Sequence, residues 1–99
     1  MKEIEFREWL SKNGVSRKVQ SDTISRLKRF ERVNGYSDLE KEYKKDKCDF
    51  LFSLFENKGI NENMQKLGET GLPIGKYHLS TYKYALSLYI KYLQSENDR

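Results

Sequence analysis

Apolar and polar positions in this chain follow the spacing of amphipathic helices, and no alternating run rich in Val, Ile or Thr suggests strands. The first helix is predicted from about Lys2 to Lys12, and Gly14 stands just beyond its end. The second helix is predicted from its N-cap, Ser16, to about Val33. The expected buried stripe of the first helix consists of Ile4, Phe6, Trp9 and Leu10.

The second helix is predicted to have one apolar face and one basic face. With about 100° between successive residues, its apolar side comprises Val19, Thr23, Ile24, Leu27 and Phe30. The opposite side is rich in cations and hydroxyls, with Lys18, Ser21, Ser25, Lys28, Arg29 and Arg32. Only Asp22 places a carboxylate at the edge of that polar face.

The middle of the chain predicts shorter elements. Ser37-Asp38-Leu39-Glu40 resembles a capping box, so a short helix should begin there and bend within Lys41–Lys47. A third main helix is predicted from about Asp46 to Glu56, apolar on most sides. Residues Lys58–Gly75 contain the single Pro and four of the six Gly, which predicts a long loop. Such a loop is functional, mobile, or contains a short element.

The last helix is predicted from about Lys76 to Gln94. One face carries apolar side chains at helical spacing: Leu79, Tyr82, Ala85, Leu86, Tyr89, Ile90 and Leu93. The other face has no acidic residue and comprises Lys76, Ser80, Lys83, Tyr84, Ser87 and Lys91.

These elements predict an all-α fold, a compact four-helix bundle, or five helices if the short one is counted. We expect one domain over 1–99, with its core from about 4 to 94 and the long loop at about 58–75. The chain has 99 residues, of which 13% are aromatic, enough large side chains to build a small core. Its start is charged and it has no run of 18 apolar residues, so we expect neither a signal peptide nor a membrane span, and a cytoplasmic location.

The sequence offers little support for catalysis. A single cysteine, Cys48, excludes an internal disulfide and a multi-cysteine zinc site, and we expect it to be a buried, inert thiol. The single histidine, His78, is expected at the surface and excludes a multi-histidine metal site. The loop glycines match no phosphate-binding motif. We therefore predict no catalytic residue, no metal and no cofactor.

Charge distribution gives the clearer functional indication. Residues 12–34 contain seven basic groups against two acidic ones, and residues 76–95 contain three lysines and no acid. Basic helix faces of this kind neutralise DNA phosphates, while Ser hydroxyls donate to phosphate oxygens and Arg reaches guanine edges. The predicted DNA-binding residues are Arg17, Lys18, Ser21, Ser25, Lys28, Arg29, Arg32, Lys76, Ser80, Lys83, Tyr84, Ser87 and Lys91.

The spacing of several other residues resembles that in the core-binding domain of tyrosine recombinases and phage integrases. Gly14, Ser16, Leu27 and Phe30 match the spacing of that family's second helix, although Val19 and Thr23 replace its usual Thr and Tyr. Further matching positions lie downstream, over about 4–94 in all: Asp38-Leu39, Asp46, Phe50, Leu51, Leu54, Ala85-Leu86, Tyr89 and Tyr92-Leu93.

The resemblance implies a SAM-like orthogonal bundle whose second and fourth helices face the DNA major groove. Those are the two helices whose basic faces are described above, about 16–33 and 76–94. The family's catalytic domain is separate, so the resemblance implies DNA binding without catalysis by this chain.

Two other partner classes stay open. One is a protein-interaction module, such as a small phage or defence-system factor that binds a partner protein. The tyrosine-rich last helix and the long loop with its four glycines are typical of such a module. RNA ranks third, because no strand carries an aromatic platform. The apolar helix faces are needed for the core, so no membrane binding is expected.

Overall fold

A computed structural model describes residues 1–97 of the chain, and these residues form an all-α bundle, as predicted. No strand occurs in the described part. The six helices are α1 (Glu3–Lys12), α2 (Arg17–Val33), α3 (Leu39–Asp46), α4 (Asp49–Ser53), α5 (Glu62–Lys66) and α6 (Leu79–Asn97), with a 3-10 turn at Glu56–Gly59. The radius of gyration of 13.3 Å is that of a compact domain of about 100 residues.

Helices α1, α2 and α6 pack around an aromatic core. The ring of Phe6 on α1 meets Tyr89 of α6 edge to face, with 4.9 Å between ring centroids. On the other side of the core, Phe30 of α2 makes edge-to-face contacts with Phe55 and Tyr82 at 5.3 and 5.7 Å. Because such pairs add to the burial of their large surfaces, these rings fix how the three helices meet.

Two residues predicted in the core are at the surface. Ile4 is 71% exposed, whereas Phe6 and Leu10 are fully buried. With about 100° per residue, Ile4 points to the side of α1 opposite those two residues. Val19 is also exposed, and the neighbouring Gln20 is buried instead, because its Nε2 donates to the carbonyl of Val15 at 2.8 Å.

The predicted third helix over Asp46–Glu56 is wrong, because the chain turns sharply inside it. Lys47 and Cys48 both have left-handed backbone, with φ of 57° and 65°. They separate α3, which is helical over most of the segment predicted to bend and turns only at its last residue, Lys47, from the five-residue α4.

The start of α3 also differs from the predicted capping box. The N-cap is Asp38, whose Oδ1 accepts from the amide of Glu40 at 3.1 Å. The hydroxyl of Ser37, the residue expected to cap the helix, donates instead to Glu42 at 2.9 Å. The side chain of Glu42 is buried and also accepts from Asn34, which ties α3 to the end of α2.

The long loop contains a short element, α5, capped by the side chain of Asn61 at 2.9 Å from the amide of Met64. Met64 is buried and anchors α5 in the core. Helix α6 begins at Leu79, three residues later than predicted. Residues 76–79 form a tight turn in which the amide of Leu79 donates to the carbonyl of Lys76.

Candidate nucleic-acid interface

Most of the predicted DNA-binding residues lie at the surface. All are exposed except Arg29 and Ser87, which are half-buried. The exposed ones are Arg17, Lys18, Ser21, Ser25, Lys28, Arg32, Lys76, Ser80, Lys83, Tyr84 and Lys91. Their exposure follows from the helical periodicity of α2 and α6, which places them opposite the buried faces.

The side of the basic α2 face that borders α1 is partly neutralised. The Lys28 ammonium forms an ion pair of 2.7 Å with Glu3. The hydrogen bond from Lys28 lowers the pKa of the Glu3 carboxyl, so this carboxylate keeps its charge beside the lysine. Arg7 of α1 donates to the Ser21 hydroxyl at 3.4 Å, which further links this side of α2 to α1.

The opposite side of the α2 face borders α6. There Arg29 donates a hydrogen bond of 3.2 Å to the Tyr82 hydroxyl. A Cβ on Gly71 would lie 3.1 Å from the Arg29 guanidinium, so that group also lies against the long loop. Arg29 therefore connects three parts of the fold.

Three residues lie along the outer line of α2, between these two sides. Lys18, Ser25 and Arg32 are spaced by seven residues, nearly two helical turns, and all are exposed. Within residues 1–97, neither Lys18 nor Arg32 forms an ion pair. This line spans about 21 Å of helix at 1.5 Å per residue, and its two cations are exposed and form no ion pair among the described residues.

A second concentration of positive charge lies at the start of α6. Lys58, Lys76 and Lys83 line a cavity of about 280 Å³. The remaining lining side chains include no carboxylate, and they are Phe55, Tyr77, Leu79 and Ser80. None of the three lysines forms an ion pair within the described residues. We call this feature the lysine cavity.

The backbone places Lys58 beside the α6 lysines. Lys58 has a left-handed φ of 57°, and its carbonyl accepts from the amide of Gly75 at 2.7 Å. Gly59 follows with a φ of +87°, and a Cβ there would approach Leu79 Cδ2 to 2.9 Å. A glycine is therefore required for the turn to pack closely against the start of α6.

The hydroxyls of α6 already have partners in their own helix. Ser80 donates to the carbonyl of Tyr77 at 2.9 Å, and Ser87 donates to that of Lys83 at 3.0 Å. Their oxygens stay able to accept, but their protons are committed to the backbone. The side chains left to contact a phosphate backbone in this part of the chain are those of Lys76, Lys83, Tyr84 and Lys91.

The predicted residues do not converge on a single hollow. Lys28 and Arg32 line one of about 590 Å³ whose walls also carry Glu31 and Asp38. Arg17 and Ser21 line another of about 560 Å³ between α1 and α2, which also contains carboxylates. Of the three, only the lysine cavity joins cations without an acidic neighbour.

Metal binding has no geometric support in the described part. Over residues 1–97, no group of three or more His, Cys, Asp or Glu side chains is arranged to hold a metal ion. His78 is exposed and Cys48 is fully buried, both as predicted. None of the helices described is long and apolar enough to cross a membrane.

Lys58 and Tyr77 were not singled out from the sequence. Lys58 lies in the short 3-10 turn Glu56–Gly59 and reaches the cavity through the turn that pairs it with Gly75. Tyr77 precedes α6 by two residues and is 88% exposed. The sequence Asn57-Lys58-Gly59 signals a turn, but no local pattern shows that this turn packs against residues 75–79.

No protein-family model matches this chain, and neither curated proteins nor solved structures gave a match.

Proposed function

We propose that this chain is a DNA-binding helical module that contacts the duplex backbone and major groove through α2 and α6, without catalysis of its own. The observation that carries the proposal is the exposed line of Lys18, Ser25 and Arg32 on α2, whose two cations form no ion pair within residues 1–97. Duplex DNA carries about one negative charge per 1.7 Å of helix axis, so a basic line of this length gains affinity by releasing counterions.

The lysines on α6 and in the turn before it supply a second contact in this proposal. Lys76 of the turn and Lys83 of α6 line a cavity without carboxylates, and Lys91 is exposed further along α6. Two separated cationic surfaces favour binding to an extended polyanion over binding to a small acidic ligand. The resemblance to recombinase core-binding domains agrees with the choice of these two helices.

Arg29 has a different role in this account. Its guanidinium bonds to Tyr82 and is half-buried, so its contribution is to hold α2 against α6. Lys28 contributes less than Lys18, because its ammonium is paired with Glu3.

A fluorescence-anisotropy titration with a labelled duplex at low salt tests the proposal. We expect wild type to bind, and the Lys18→Gln/Arg32→Gln variant to bind roughly ten-fold more weakly, because two phosphate contacts are lost. The matched control is Lys44→Gln/Lys45→Gln, which removes the same charge from exposed positions of α3. Equal affinity of the two double variants would contradict the proposal.

Binding to a partner protein is the second candidate function. It is favoured by two apolar side chains near the lysine cavity, Ile60 and Ile74, which are 56% and 39% exposed. They flank one turn, since a Cβ on Gly75 would lie 3.8 Å from Ile60 and one on Gly59 would lie 3.4 Å from Ile74. A stoichiometric complex with one protein that survives nuclease treatment and is lost in Ile60→Ser/Ile74→Ser would favour this candidate.

A further inference from the structure

The lysine cavity differs from the rest of the basic surface because aromatic rings form part of its wall. Tyr77 is 88% exposed, and its ring makes an edge-to-face contact with the exposed His78 at 5.5 Å between centroids. Phe55 is half-buried and lines the same cavity. Backbone contacts to a duplex need no exposed aromatic ring, so these residues are not explained by the proposed function.

The cavity also has a defined size. Its volume of about 280 Å³ is at the lower end of the range for ligand pockets. A duplex cannot enter such a space, whereas one flat heterocyclic ring can. Rings of this kind stack on tyrosine with little dependence on sequence, because every base has a π-face.

The charge of the cavity selects an anionic ligand. Lys58, Lys76 and Lys83 approach it from two segments, the turn before Gly59 and the start of α6. Because no carboxylate lines the cavity, its three ammonium groups favour an anion over a neutral or cationic ligand. A ligand that joins a flat ring to phosphate groups can place its ring against the aromatic side chains and its phosphates beside the lysines.

We propose that the lysine cavity binds one unpaired nucleotide of a DNA strand, with its base against Tyr77 and its phosphates among Lys58, Lys76 and Lys83. The inference rests on the proposed DNA binding and deepens it. The module would then favour a duplex that carries a single-stranded end over a blunt one.

The test compares labelled duplexes of one sequence with blunt ends or with a three-nucleotide thymidine overhang. We expect wild type to bind the overhang duplex about ten-fold more tightly, from the stacking of one base. Tyr77→Ala should remove this preference. Because the ring is almost entirely exposed, the substitution should not disturb the fold, and blunt-duplex affinity should stay unchanged. The matched control, Tyr36→Ala, removes another exposed ring, in the turn after α2, and should keep the preference.

Two further arms keep the result interpretable. Lys58→Gln should reduce the overhang preference, whereas Lys45→Gln on α3 should not. A labelled thymidine tetranucleotide separates this inference from the proposed function. Tyr77-dependent binding of that oligonucleotide without duplex binding supports the cavity and contradicts the duplex module.

The inference is overturned if wild type binds both duplexes equally, even when that binding is tight. It is also overturned if an octaglutamate peptide displaces the tetranucleotide as effectively as unlabelled octathymidylate does, because the cavity would then recognise acidic peptides. Loss of the preference in Tyr36→Ala as well as in Tyr77→Ala would likewise contradict the assigned position.

Discussion

The guanidinium of Arg29 on α2 donates a hydrogen bond of 3.2 Å to the hydroxyl of Tyr82 on α6. Tyr82 in turn packs edge to face against Phe30, the residue that follows Arg29 on α2. The sequence pattern places Arg29 with the DNA-facing cations, but the structure places its charge at the junction of α2, α6 and the long loop.

This relationship predicts that Arg29 and Arg32 have separable roles. Arg29→Ala should lower the free energy of unfolding by about 1–2 kcal/mol, because a hydrogen bond to a charged donor and the packing of its stem are lost. Arg32→Ala, at an exposed position, should change it by less than about 0.5 kcal/mol. Urea denaturation followed by circular dichroism measures both. Equal destabilisation by the two variants would contradict the assignment.

The main helices could be predicted from sequence because their signals are local. Ser16 caps α2 as expected, its hydroxyl oxygen accepting from Val19, and α2 ends at Val33 as predicted. The sequence predicts a bend within Lys41–Lys47, but its position at Lys47 and Cys48 could not be predicted, because left-handed backbone at two non-glycine residues depends on surrounding packing. The predicted core position of Ile4 is wrong, because at about 100° per residue Ile4 lies on the side of α1 opposite Phe6 and Leu10.

The turn at Gly59 should tolerate no side chain. Gly59→Ala places a Cβ 2.9 Å from Leu79 at a φ of +87°, whereas Gly68→Ala meets nothing within 4 Å at a φ of +75°. Both variants carry left-handed strain of about 1–2 kcal/mol, but only Gly59→Ala adds overpacking of about 1–3 kcal/mol. Thermal denaturation of the pair isolates the close contact. Equal unfolding temperatures for the two variants would show that Leu79 moves aside without loss of stability, and would contradict the prediction.

Cys48 should be chemically silent in the folded protein. Burial, with Asp46 and Glu42 nearby, raises the pKa of its thiol to about 12. The thiolate is the reactive form, so a disulfide reagent such as dithionitrobenzoate at pH 8 should react slowly with the native chain. In urea the thiol regains an ordinary pKa near 8.5, and reaction should be rapid. Immediate stoichiometric reaction of the native protein would contradict the buried placement.

Asp38 should make folding stability depend on acid. Its Oδ1 lies 2.6 Å from the amino group of Met1, and this hydrogen bond lowers the pKa of the Asp38 carboxyl. The folded state therefore favours the carboxylate, so its contribution is present above the unfolded pKa of about 3.9 and is lost as pH falls through the folded value. We expect a loss of about 1 kcal/mol, because the carboxylate is partly open to solvent.

The same contact predicts a decrease of stability in alkali. Burial disfavours the charged amino group of Met1, but its hydrogen bonds to Asp38 and Glu31 outweigh this effect and raise its pKa. This contribution is full below pH 8.0, its ordinary value, and is lost as pH rises through the folded value. Urea midpoints measured across pH, on a chain whose Met1 amine is free, should show both the loss of stability in acid (the acid limb) and the loss in alkali. Asp38→Asn should flatten the acid limb, and an unchanged acid limb would contradict the account.

The candidate site was predictable only where it lies on helices. The exposure of Lys18, Ser25 and Arg32 follows from periodicity alone. Lys58 lies beside Lys76 and Lys83 because two loop segments contact each other. No local sequence pattern encodes that contact. The neutralisation of Lys28 by Glu3 likewise requires knowing that α1 lies beside α2.

The salt dependence of duplex binding tests the central claim most directly. If α2 and α6 neutralise phosphates, the logarithm of the association constant should fall linearly with the logarithm of salt concentration, by about 0.9 per neutralised phosphate. We predict that Lys18→Gln/Arg32→Gln reduces this slope by about two, one for each lost contact. The charge-matched variant Lys44→Gln/Lys45→Gln should keep the wild-type slope. Wild-type binding that is independent of salt, or no binding at low salt, would contradict the account.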